Sequence, residues 1–345
     1  MKKVIIGIHG LGNKPPKYLL QKWWKDAINE GLKRNHISKS LPVFELVYWA
    51  DILYEKPLNK WEKDDESPCF LNEPYQKSLV GNNNYNKEDN SFRESFLDFV
   101  TEQLNKVFLN DDNTLNYSFI YDVILKSFFK DLDAYYTVEC KDSNDITCKA
   151  RNLIRKRLVD CIKKYPDHEI LIIAHSMGSI VAFDVLSFVI PEMKINTLIT
   201  MGSPLGLPVV VGKIAAEQKK TLNYTAAITS PSSITKSWFN IADVFDKVAL
   251  DNKLYDNFTT NKWGVLPVDF IVSNDYEING KKNPHKSFGY LRTVEVSKII
   301  ADFIGEEKRN IWNKTLYSVQ SMVYNTRVKY KNVMTIIKTR INGKR

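Results

Sequence analysis

Short, unbroken apolar runs recur along this chain, separated by longer stretches in which apolar residues return every third or fourth position. The runs at Lys3–Ile8, Val43–Trp49, Ile170–Ala174, Ile195–Met201, Ser237–Ile241 and Val268–Val272 read as strands, several of them apolar on both faces. Helical spacing marks Tyr18–Lys33, where Leu19, Leu20, Trp23, Trp24, Ala27, Ile28 and Leu32 share a face. Both tryptophans read as core. A second helix is predicted over Ile146–Lys164, with Ile154, Leu158, Cys161 and Ile162 inward and a solvated basic face outward. A third, Val294–Ile304, follows the last strand. Strands alternating with helices predict an α/β fold: a mostly parallel central sheet with helices on both faces.

Two segments depart from this rhythm. From about 51 to 144 the chain turns polar, punctuated by Pro57, Pro68 and Pro74 and by the loop-like run Gly81-Asn82-Asn83-Asn84-Tyr85-Asn86. Helical patterns return near Phe92–Phe108 and Tyr117–Phe129. The segment reads as an aromatic-rich insertion between two strands. It would either cover the functional edge of the sheet and select a substrate, or pack on the outer helices. The other departure is the end of the chain. Residues 306–345 carry ten lysines and arginines against two glutamates, so eight of the nine net positive charges lie there. Trp312, Leu316, Val319, Val323, Tyr330, Val333, Met334, Ile337 and Ile341 fall near helical spacing among them. The expected organisation is a domain over 1–305, with the insertion, and a basic amphipathic helical tail over 306–345. The tail would dock on the domain, on a second copy of the chain, or on an anionic membrane surface. Nucleic acid is the weaker reading, because no stacking module accompanies the charge.

With 43% hydrophobic and 26% charged residues, the 345-residue chain has the balance of a soluble globular protein. The amino-terminal MKKVIIGIHG is too short in its apolar run for a signal peptide, and a cytoplasmic location is expected, peripheral at the inner membrane face if the tail binds there. The four cysteines suggest neither a disulfide framework nor a zinc pattern, so no metal or cofactor is expected. Cys140 and Cys148 lie close enough in sequence to pair but are expected as free thiols. The phosphate-binding glycine patterns are absent.

Candidate chemistry centres on Glu169–Ile180, EILIIAHSMGSI. A buried strand runs into a sharp turn at His175-Ser176-Met177-Gly178, and a helical pattern follows until Pro191. Strand, tight turn and helix with a serine at the apex form a nucleophile elbow. The strained turn demands small residues two before and two after the serine, and Ala174 and Gly178 meet that demand. The helix opening behind Ser176 turns free N–H groups toward any developing oxyanion. Near the amino terminus, His9-Gly10-Leu11-Gly12 follows a strand and offers a second N–H to the same place. A nucleophilic serine needs a base, usually an imidazole, and the chain has only five histidines. His9 sits in the early turn, His36 and His168 lie at the opposite end of the sheet, and His175, beside the serine, is expected to point away. His285 alone follows a strand at the right edge. The acid should come from the loop after Ser237–Ile241, where Asp243, Asp246 and Asp251 compete.

The segments IHGLGNKPP, LVYWAD, LIIAHSMGS, LITMGSPLG, WFNIADVFDKVA and PHKSFGYL, in this order, resemble the serine-esterase and lipase-like branch of the α/β-hydrolase superfamily over roughly residues 3–305. The resemblance implies an α/β-hydrolase fold, a nucleophile at Ser176, an acid at Asp246 with Asp243 as the alternative, a base at His285, and oxyanion N–H donors at Leu11 and Met177. It implies hydrolysis of a carboxylic ester, of a small molecule or a lipid, or of a thioester, without a cofactor. The alternatives are a non-catalytic scaffold of the same fold and a peripheral membrane protein working through its tail.

Overall fold

The computed structural model describes residues 2–78, 132–141, 147–222, 228–249 and 253–305. Among them, in chain order, lie β1 (Lys2–Ile8), α1 (Lys17–Arg34), β2 (Val43–Val47), β3 (Glu139–Lys141), β4 (Thr147–Lys149), α2 (Ala150–Lys163), β5 (His168–His175) and α3 (Met177–Asp184). There follow β6 (Ile195–Met201), α4 (Pro208–Leu222), β7 (Ile234–Asp243), β8 (Pro267–Val272), the short pair β9 (Glu277–Ile278) and β10 (Lys281–Lys282), α5 (Ser287–Leu291) and α6 (Val294–Ile304). The described residues up to Ile304 make one compact unit. The tail from 306 onward, the patterns at Phe92–Phe108 and Tyr117–Phe129, and Asp251 all lie outside the described residues.

Six strands form one sheet in the order β2-β1-β5-β6-β7-β8, and each neighbouring pair is parallel. The pleat sorts each run between two cores. Val4, Ile6 and Ile8 of β1 and Ile170, Ile172 and Ala174 of β5 face a layer containing α2 and α3. Ile5, Leu171 and Ile173 face the opposite layer, built on α1, α5 and α6. Burial on both faces is why these strands are continuously apolar instead of alternating. The architecture is that of an α/β-hydrolase fold.

The strand order also places the functional edge. From β1 the chain crosses to β2 through α1 on one face, while from β5 it crosses to β6 through α3 on the other. The loops leaving β1 and β5 therefore diverge, and a crevice opens between them at the carboxyl ends of the strands. His9 follows one of these strands and Ser176 the other.

Several expectations are corrected. The helix predicted from Ile146 begins at Ala150, because Thr147–Lys149 pairs antiparallel with Glu139–Lys141. Cys140 and Cys148 are direct partners in that hairpin, and both are free thiols. The strand predicted at Val43–Trp49 ends at Val47, and that at Ser237–Ile241 extends over Ile234–Asp243. The elbow helix ends at Asp184 and passes into a π-helical turn, Val185–Val189, before Pro191. Helix α4 opens on Pro-Val-Val-Val, which reads locally as strand.

The basic face of α2 is not wholly solvated. Arg151 and Arg155 each place Nη2 2.9 Å from the same oxygen of Asp184, which also accepts a 2.8 Å hydrogen bond from the Tyr135 hydroxyl. Asp184 is buried at the end of α3. A buried carboxylate requires charge partners, and the arginines supply them. Among the described residues no helix is long and apolar enough to cross a membrane.

Candidate active site

Ser176 stands between β5 and α3 with φ 54° and ψ −128°, a backbone conformation that side-chain-bearing residues rarely adopt. Its amide N–H still donates to Met201 O at 2.9 Å, extending the ladder one residue past the strand. The turn is tight enough that a Cβ on Gly178 would lie 2.6 Å from Ile8 O and 2.8 Å from His9 O. Only glycine lets α3 pack this closely on the end of β1. The requirement for a small residue two positions after the serine is therefore a matter of contact with the neighbouring strand's loop.

The structure brings Ser176, His285 and Asp246 together. The Ser176 hydroxyl lies 3.0 Å from His285 Nε2, and His285 Nδ1 lies 2.9 Å from each carboxylate oxygen of Asp246. Three loops supply these groups, following β5, β7 and β8. Ser176 and Asp246 are buried, while the His285 side chain is 23% exposed and forms the open side of the group. Gly202, at the end of β6 with φ 53°, makes room for the pair: a Cβ there would lie 2.7 Å from Asp246 Oδ2 and 3.1 Å from His285 Nδ1.

Asp246 and Asp243 make different contacts: Asp246 meets His285, whereas Asp243 meets backbone amides. Burial alone would raise the Asp246 pKa, but the His285 charge and hydrogen bonds from His285, Tyr290 and the Val248 amide outweigh it, holding the carboxylate below its ordinary value. It is therefore ionised at neutral pH. Asp243 is the last residue of β7. Its two oxygens accept the amides of Phe245 at 2.8 Å and Asn274 at 2.6 Å, so it braces the turn that delivers Asp246. Tyr290 links the two: its hydroxyl accepts the Asp243 amide at 2.9 Å and donates to Asp246 Oδ2 at 2.6 Å. Burial pushes the Tyr290 pKa well up, so the hydroxyl keeps its proton. The sequence holds no rule that would have singled out Tyr290.

Leu11 lies in the loop after β1, and Met177 opens α3. As first residue of its helix, Met177 has an N–H that no helical carbonyl can reach. The loop before Leu11 is pinned by His9. Its Nδ1–H donates to Gly10 O at 2.7 Å, its Nε2 accepts the Trp49 amide at 3.0 Å, and the ring stacks on the Trp49 indole. Trp49 Nε1–H in turn donates to His9 O at 3.0 Å. Burial, and then the Lys14 charge, push the His9 pKa down from 6.5 to about 3.

A pH effect on folding follows. Below pH 6.5 the unfolded chain binds a proton at His9 that the folded chain refuses, so stability present above 6.5 is lost progressively as pH falls toward about 3. The slope from this residue approaches about 1.4 kcal/mol per pH unit. Urea unfolding at pH 7 and pH 5 measures it. His9→Gln should flatten the dependence, and an unchanged slope in that variant would contradict the assignment.

A cavity of about 500 Å3 opens beside Ser176 and His285. The loop 9–15 forms one wall, Leu20, Trp23, Trp24, Leu58, Leu71 and Phe288 add apolar surface, and Asn72, Glu73, Asn283 and Lys286 add polar groups. The tryptophans read as core thus have a second part: Trp24 is fully buried, but Trp23 is only partly so, edge-on to Phe288 in the cavity wall. The volume suits a small organic ligand. Of the segment expected as an insertion, Leu58 and Leu71–Glu73 reach this cavity. Among the described residues, no group of three His, Cys, Asp or Glu side chains is placed to hold a metal ion.

His175 departs from expectation. It does not point away from the site: its Nε2 lies 2.7 Å from the main-chain oxygen of His285, and the two rings are 4.8 Å apart.

Residues 125–287 match the model of a family described as PGAP1-like alpha/beta domain. The matched stretch contains Ser176, Asp246 and His285 and leaves out the loop that carries Leu11. Among curated proteins no significant match is found.

Proposed function

We propose that this chain, which has an α/β-hydrolase fold and a PGAP1-like match over residues 125–287, is a serine hydrolase cleaving a carboxylic ester through an acyl-enzyme. One observation carries the reading: a strained, buried serine with its hydroxyl 3.0 Å from an imidazole whose other nitrogen meets an ionised carboxylate at 2.9 Å.

The chemistry follows from that line. The Ser176 hydroxyl donates to His285 Nε2, so the lone pair that would attack a carbonyl carbon faces the cavity. As the oxygen–carbon bond forms, the hydroxyl proton passes to Nε2 and the imidazolium is stabilised by Asp246. The carbonyl oxygen becomes negative and is met by the N–H groups of Leu11 and Met177, fixed in place before the reaction begins. Collapse breaks the bond to the alcohol, which leaves with the proton from Nε2. Water then enters, gives a proton to His285 and cleaves the acyl-enzyme, and the returned proton restores Ser176. Tyr290 and the Val248 amide hold the Asp246 carboxylate, and Asp243 holds the turn beneath it.

The apolar wall of the cavity supports an acyl chain on the substrate, of a small-molecule or a lipid ester. A panel of p-nitrophenyl esters of rising chain length tests the reading. Each methylene buried against that wall contributes about 0.8 kcal/mol, or roughly fourfold, so kcat/KM should climb from acetyl upward until the cavity is filled. Folded protein that hydrolyses none of the series, nor an acyl thioester included beside it, would refute the proposal.

A further inference from the structure

We infer that His175 is a positioning residue that fixes the base His285 through its main chain, an inference that rests on the hydrolase reading above. The geometry at Ser176 is what makes this arrangement accessible. The serine's positive φ sends neighbouring side chains in different directions, and both directions end on His285. Ser176 Oγ meets its Nε2 at 3.0 Å, while His175 Nε2 meets its carbonyl oxygen at 2.7 Å. Two consecutive residues thus hold one histidine by ring and by backbone. The covalent link closing this ring of contacts is a single planar peptide.

A carbonyl oxygen only accepts, so the proton of His175 must sit on Nε2, and the tautomer is defined. The ring is buried, and burial first, then the His285 charge, drive its pKa well below the ordinary value. It therefore stays neutral as His285 gains a proton during turnover, and adds no like charge 4.8 Å from the imidazolium.

The loop bearing His285 needs such a hold. Residues 283–286 belong to no strand or helix. The carbonyls of residues 284–286 are nonetheless taken up by side chains: Asn274 Nδ2 donates at 2.8 Å to both Pro284 O and Lys286 O, and His175 takes the one between. Glu73 adds a grip from outside, accepting Asn283 Nδ2 at 2.7 Å and Lys286 Nζ at 2.9 Å. Asn274 and Glu73 hold the neighbours of the base, whereas His175 holds the base residue itself and is tied to the nucleophile. A base displaced by about 1 Å loses on the order of 100-fold in rate, so removing this hydrogen bond should appear in the chemical step.

The test compares His175→Gln, which keeps an N–H donor, with His175→Met, of similar length and without one. A second donor-less variant, His175→Phe, guards against loss of the Met variant to misfolding. Each is measured for kcat, KM and Tm on the best ester, beside wild type and Ser176→Ala. The expected result is a kcat lowered roughly 10- to 100-fold in the Met and Phe variants with KM nearly unchanged, and substantial recovery in the Gln variant. Wild-type kcat in a folded Met or Phe variant overturns the inference. So does a Gln variant as impaired as the other two, since that outcome assigns His175 to packing alone. Absence of Ser176-dependent turnover in the wild type would instead bring down the hydrolase reading and this inference with it.

Discussion

Ser176→Ala should lower ester hydrolysis by about 10⁶-fold while leaving the protein folded and its cavity intact. The size of the effect follows from where the serine sits. Its hydroxyl carries the nucleophilic lone pair, and its proton is the one that His285 takes up at 3.0 Å. Without Oγ, both covalent steps vanish together. What survives is catalysis by binding and by the oxyanion donors, on the order of 10³-fold over water. Folding should tolerate the change, and even gain from it. The φ of 54° remains, but the smaller side chain buries no hydroxyl beside the base. Steady-state kinetics with Tm alongside will separate these effects. A Ser176→Ala protein within tenfold of wild type would place the nucleophile elsewhere.

The second large effect is expected at Asp246. Asp246→Asn should reduce kcat by about 10⁴-fold with a modest change in KM. The carboxylate receives the His285 Nδ1 proton and so leaves Nε2 free to accept the serine's. An amide in the same place can turn its NH2 toward Nδ1, which forces the imidazole proton onto Nε2. The base then faces Ser176 with a proton already attached. The amide also forfeits an acceptor, since Tyr290 donates to Oδ2 at 2.6 Å and the Val248 amide to Oδ1 at 2.9 Å. Asp243→Asn should behave differently. It forfeits one of two buried acceptors for the Phe245 and Asn274 amides, lowering Tm while kcat per folded molecule changes only a few-fold. If Asp243→Asn proved the more damaging to kcat, the roles of the two aspartates would have to be exchanged.

The contrast between these aspartates also shows what a sequence can and cannot convey. Strands β1 and β5 are legible because burial on both faces leaves their runs Val4–Ile8 and Ile170–Ala174 without polar side chains. The elbow is legible because its chemistry is local: strain at Ser176 demands small neighbours within two residues. His285 emerges by elimination only because histidines are few. Strand order has no local signature, since a parallel sheet is assembled by crossovers and the same runs would suit several orders. Helix α4 was hidden by the β-branched Val209-Val210-Val211, whose burial against the sheet overrides local propensity. Contacts between side chains far apart in the chain are the least visible of all. His175 meets His285 across 110 positions and Arg155 meets Asp184 across 29, and in each case the side chain departs from its expected solvent or outward course. In both, a buried polar group that had to be satisfied explains the departure.

The central claim is that Ser176 is a nucleophile activated in place by His285 and Asp246. A fluorophosphonate reacts only with such a serine, forming a covalent phosphonyl ester, so intact-mass analysis and peptide mapping of the wild-type protein test the claim most directly. The account predicts one adduct per chain, on the peptide containing Ser176, and none in Ser176→Ala. An unmodified wild type, or a Ser176→Ala protein labelled as fast as wild type, would contradict it.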